Sequence, residues 1–177
     1  MARHKASPER RPLRAAAALL TAVLLIGAAI ASLFFKPVRE PELLVRSTNG
    51  ALVERIPVPD GLFSHVFLHS IHLTPVEESF RIEAQGGSRA RIRLYKLQYQ
   101  SLGVGMPADA EGGYHLENGF FVLDMDRSFD SIPVLVSIVP GHGITVDGVY
   151  LPFRNWTAPE QALLLSARMA IVFRPRR

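Results

Sequence analysis

The residues that could do chemistry crowd into one short stretch. His65, His69 and His72 lie within 63–73, and Glu78 follows just beyond Thr74-Pro75, so half of the six histidines sit close to a carboxylate. On an extended backbone alternate side chains share a face. One face then carries Phe63, His65, Phe67, His69, Ile71 and Leu73, and the other Ser64, Val66, Leu68, Ser70 and His72. The first is the more apolar, so it turns His65 and His69 toward a core. The next run divides the same way, with Val76, Glu78, Phe80 and Ile82 on its apolar face. Glu78 is therefore a carboxylate among apolar neighbours, where a charge without a partner is costly. With Thr74-Pro75 at the tip of a hairpin, Ile71 stands opposite Glu78. His69 is then a diagonal neighbour at roughly 7–8 Å between Cα atoms, within side-chain reach. A register built around Pro75-Val76 keeps the facing but carries His69 too far away.

Three kinds of site fit these residues. An inward His69–Glu78 pair can be a satisfied buried contact that fixes strand register. It can equally floor a binding pocket, with Tyr99 as a further lining residue. A metal or catalytic site would draw on His65, His69, His72, Glu78, His115 or His142. His72 points away from His65 and His69 on a regular strand, so those three cannot ligate one ion. No Ser/His/Asp order, phosphate loop or HExxH helix is present. The run Leu102-Gly103-Val104-Gly105-Met106-Pro107 follows a strand pattern but lacks the helix whose N-terminus would hold an anion. A bulged turn is expected there.

The elements that must position these groups are strands. Short runs with period-two alternation follow Pro41, and Asn49-Gly50, Asn118-Gly119 and Asp147-Gly148 stand between them as hairpin turns. These join 43–46 to 51–58, 114–117 to 120–124, and 144–146 to 149–153. Further strands are expected over 63–73, 76–84, 89–100, 134–139 and 163–173. Thr157-Ala158-Pro159-Glu160 resembles a capping box that would start a helix, but the alternation after it favours a strand. About ten strands with turn signals every 8–12 residues predict an all-β domain, an antiparallel sandwich or barrel.

Ahead of that domain, 15–35 is an apolar run broken only by Thr21, Gly27 and Ser32. Roughly 20 helical residues span a hydrocarbon core of about 30 Å. Arg3, Lys5, Arg10, Arg11 and Arg14 precede it, against Lys36 and Arg39 with Glu40 and Glu42 after it. That asymmetry predicts a single-pass inner-membrane protein with its N-terminus in the cytoplasm and its β domain in the periplasm. Ala29-Ile30-Ala31 also fits a signal-peptide cleavage site, yet the run continues past it through Phe35. The expected organisation is a basic tail over 1–14, the membrane helix over 15–35, a stiff proline linker over 36–42 and the domain over 43–177.

Net charge is +4, and the basic residues at the two chain ends, Arg3 to Arg14 and Arg174 to Arg177, exceed it, so the middle of the chain is slightly acidic. That pattern argues against a nucleic-acid partner. The absence of cysteine excludes disulfides and thiolate zinc sites.

The segments His69-Ser70-Ile71, Thr74-Pro75-Val76 and Glu78 resemble those of a family of small bacterial exported proteins with no assigned activity. So do Tyr99, Gly103, Gly105, Met106 and Pro107, and later Pro140-Gly141-His142 and Asp147-Gly148. The likeness covers roughly 43–153. Its members are commonly encoded beside the fused membrane subunits of TRAP transporters that use TAXI solute-binding proteins. The resemblance implies an accessory part in solute uptake, with the transporter's membrane subunit or its solute-binding protein as partner. The combined expectation is a membrane-anchored, non-enzymatic accessory protein without cofactor, or alternatively a small-ligand binding module. Its polar cluster would comprise His69, Ser70, Thr74, Glu78, Tyr99 and His142, with no catalytic or metal-ligating residue assigned.

Overall fold

A computed structural model describes residues 10–100 and 113–176. One long helix, α1 (Arg10–Phe34), is followed by strands β1 (Phe35–Ser47), β2 (Leu52–Pro57), β3 (Leu62–Leu68), β4 (Pro75–Ala84) and β5 (Ala90–Tyr99). Beyond the undescribed segment come β6 (His115–Glu117), β7 (Phe120–Phe129), β8 (Ser131–Leu135), β9 (Gly143–Val146) and β10 (Val149–Pro152). A 3-10 turn at Phe153–Asn155 leads into β11 (Ala162–Pro175). The turn expected over 102–107 and the basic tail before Arg10 lie outside the described residues.

The chain divides into two compact units, one comprising the chain up to Val38 with Val172–Arg177, the other Arg39–Ile171. In the first, Ala16–Phe34 is apolar enough to cross a membrane, with mean hydropathy 2.4 and none of it buried. The stiff linker expected over 36–42 is instead strand, because β1 starts directly after the helix. Proline fits there because its fixed φ of about −65° suits extended backbone and only an N–H is lost. The carbonyl of Pro41 still accepts from Val58 N at 3.0 Å.

The second unit is an antiparallel sandwich, as the alternation predicts. A four-stranded sheet runs β2-β1-β11-β8, and a seven-stranded sheet runs β10-β9-β3-β4-β5-β7-β6. Between them lie Leu43, Val45, Ile56, Val58, Val134, Val136, Leu163 and Leu165 on one side. Phe63, Phe80, Ile82, Ile92, Leu94, Ile144, Val146 and Phe153 face them. A smaller cluster, Val76, Leu97, Tyr99 and Leu123, continues the interior of the larger sheet. The segment 163–173 is strand within β11, so no helix starts at Thr157.

Two departures from the expected strands matter for function. The strand placed over 134–139 lies at Ser131–Leu135, with Pro133 tolerated on the sheet's edge, so 136–142 is a loop. The β3–β4 hairpin turns earlier than the Thr74-Pro75 tip requires. β3 ends at Leu68 opposite Pro75. The loop 69–74 is closed by His69 N donating to Thr74 O and Leu73 N donating to His69 O, both at 2.8 Å. Leu73 takes a left-handed φ of 52° to make that turn.

Candidate functional site: a histidine pair at an intersheet cleft

The earlier turn moves the partner of Glu78 six residues back along the strand, from Ile71 to His65. The inward His69–Glu78 pair is thereby replaced. An even displacement leaves every side chain on its original face, so Glu78 still points inward. His65 Nδ1 lies 2.8 Å from Glu78 Oε2. On the ring's other side, His65 Nε2 is 2.7 Å from His142 Nε2. The loop 136–142 delivers that second histidine. Its Nδ1 accepts from the backbone N–H of Ser137 at 2.8 Å, and its carbonyl accepts from Phe153 N at 3.1 Å. Gly143 follows immediately, where an added Cβ would lie 2.5 Å from Leu151 O, so no side chain fits beside the ring.

These contacts fix where the protons sit. A backbone N–H can only donate, so Nδ1 of His142 is a lone pair and its proton is on Nε2. That proton is shared with His65 Nε2, which must then be the acceptor. The His65 proton is therefore on Nδ1, aimed at the carboxylate. The chain reads Ser137 N–H to His142, His142 N–H to His65, His65 N–H to Glu78. Both rings are buried, at 8% exposure each. Burial, and then the charge of His65, push the His142 pKa from 6.5 down to about 4, with Glu78 opposing weakly. A proton added to His142 Nδ1 would face the Ser137 N–H, donor against donor, which the geometry also disfavours. Holding a cation between the two Nε2 atoms would require His142 to give up its bond from Ser137. Among the described residues no three His, Asp or Glu side chains gather in a metal-holding group.

The chain ends in a cleft of about 630 Å³ between the sheets. Phe67, Val76, Leu97, Met125, Pro133 and Leu135 form apolar walls, and His69, Ser70, Glu78, Arg127 and Ser137 supply polar groups. Arg127 reaches it through β7, where Phe121, Leu123, Met125, Arg127 and Phe129 alternate and Arg127 stands opposite Leu94. Among the described residues it makes no ion pair.

Of the residues expected in the cluster, Glu78 and His142 lie in the hydrogen-bond chain. His69 and Ser70 line the cleft from the loop. The His69 Nδ1 accepts from Ile71 N at 3.3 Å and His72 N at 3.4 Å, and its ring stacks on His72. Thr74 helps close that loop through its carbonyl. Tyr99 belongs elsewhere. It is fully buried, stacked on Phe121, and burial raises its hydroxyl pKa. Sequence reasoning missed Arg127, though a lone cation alternating with Phe121, Leu123, Met125 and Phe129 was a visible signal. It also missed Ser137, whose part is played by a backbone group that no side-chain pattern reports.

A family model described as a domain of unknown function (DUF1850) matches residues 63–153, from β3 through the end of β10 to Phe153. The match spans His65, Glu78, Arg127 and His142. No curated protein and no solved structure matches the chain.

Proposed function

The chain belongs to the DUF1850 family, and from that premise we propose that it is a membrane-tethered module that binds a small molecule in its intersheet cleft. The observation carrying this reading is a cleft of about 630 Å³ whose apolar wall ends on a polar chain with every proton assigned. Apolar walls with a few oriented polar groups are the usual make-up of a small-ligand site. The arrangement favours binding over catalysis. His65 is held by a carboxylate as a general base would be, but His142 occupies its second nitrogen, so His65 itself has no lone pair to offer the cleft.

The apolar helix supports membrane attachment, and the basic residues before it support a periplasmic domain. A tether of this kind also suits an accessory role beside a TRAP-type transporter, which the family resemblance implies. That partner would be recovered by crosslinking the tagged chain in its native membrane.

The binding reading is tested by native mass spectrometry of the full chain extracted in mild detergent, beside Leu97→Trp, which fills the cleft. A small-molecule adduct present in the parent and absent from the folded variant is expected. No adduct, together with no melting shift against a panel of small organic acids, amides and alcohols, would overturn it.

A further inference from the structure

We propose a second binding site, for one anionic phospholipid, where the C-terminal end of α1 meets the end of β11. It rests on the membrane-anchor reading above, and not on the cleft. The last carbonyls of a helix have no partner within it. Here the returning strand supplies one: Arg176 N donates to Phe34 O at 2.7 Å, and Arg176 Nε lies 3.5 Å from Phe35 O. Beside this junction lies a groove of about 500 Å³. Ala28, Ala31 and Ser32 form its floor, Phe35 and Phe173 its walls, and among the described residues Arg176 is the one charged group lining it.

The occupant follows from the surroundings. Ala16–Phe34 has no buried residue in its apolar span, so lipid is its solvent once inserted. Phe173, on the groove, is 69% exposed near the end of β11, which water would not favour. Small residues on the helix leave a depression that an acyl chain fills by close van der Waals contact. The groove sits at the helix end, the depth at which lipid phosphates lie. Arg176 makes no ion pair among the described residues, and a guanidinium suits a phosphate through paired N–H donors. Among the described residues no acid lines the groove. An apolar channel ending on a cation at that depth matches a phospholipid better than free phosphate, which has no chain to place.

The test uses the full chain in detergent with phosphatidylglycerol or phosphatidylcholine added, read by native mass spectrometry. One phosphatidylglycerol should be retained per chain, at least tenfold more strongly than phosphatidylcholine. Arg176→Gln should remove that preference, and Ala31→Phe should remove retention of either lipid. Arg176 is exposed, so the first variant tests the site without threatening the fold. Equal retention of both lipids, or retention unchanged in Arg176→Gln, would overturn the site while leaving the anchor intact. The same spectra give the mass of the chain from its native membrane. A mature chain beginning near Ser32 would overturn the anchor and the lipid site together.

Discussion

Two cross-strand pairs, one step apart on the same face, divide the interior of this protein. Phe63 stands opposite Phe80, and two residues on, His65 stands opposite Glu78. The first pair stacks with ring centroids 5.1 Å apart and seals into the main core. The second is joined by a hydrogen bond and opens on the cleft. Neither difference lies in the β3–β4 ladder, which is regular through both pairs. The packed end is held by apolar area and shape, the cleft end by a chain of donors and acceptors that must all be satisfied. Failure at the first should appear as cavity cost, and failure at the second as unpaired polar groups.

The comparison can be broken at four points. Phe80→Ala, at the packed pair, should lose about 3–5 kcal/mol of stability in urea denaturation, as buried aromatic truncations do. A loss below about 1 kcal/mol would mean the sheets do not close there. Acid should act on the other pair. His142 binds a proton near pH 6.5 when unfolded but only near pH 4 when folded. The unfolded state therefore takes up more protons in between, and stability falls as pH drops through that window. The loss by pH 4 should be on the order of 2–3 kcal/mol, and His142→Asn should flatten this part of the urea-midpoint profile.

His65→Ala leaves the carboxylate and the His142 N–H without their shared partner. Because Glu78 is 28% exposed at its side chain and water can reach it, the expected cost is about 2 kcal/mol rather than the larger cost of a fully buried pair. A double-mutant cycle with Glu78→Ala should return a coupling of roughly 1 kcal/mol or more. A coupling indistinguishable from zero would dissolve the proposed chain. The smallest effect belongs to Arg127→Gln, which should change stability by less than about 0.5 kcal/mol. If the cleft is a binding site, it should nonetheless lower retention of the copurified small molecule. A large stability loss instead would make Arg127 part of the fold.

The elements were largely legible because their signals are local. Asn118-Gly119 and Asp147-Gly148 both take left-handed φ angles at each residue, as two-residue hairpins require. The alternation at Val76, Glu78, Phe80 and Ile82 correctly put a carboxylate on the inner face, and that at 163–173 correctly made a strand. The bulge at Tyr95 was not legible. It opposes no residue of β4, so the pairing skips from Leu94 to Lys96 and the inward series runs 92, 94, 97, 99. A single extra residue of this kind leaves no trace in composition.

By itself the sequence determined which faces turn inward, that the chain is mostly antiparallel strand, and that one apolar helix precedes it. Side-chain period and turn chemistry act over a few residues, and neither depends on distant partners. Only the tertiary structure decided who meets whom. Registers two, four or six residues apart all keep Glu78 inward, so alternation cannot choose among His65, His69 and Ile71 as its neighbour. The choice falls to loop closure at 69–74 and to His142, which is 77 residues from His65 along the chain and 2.7 Å from it in space.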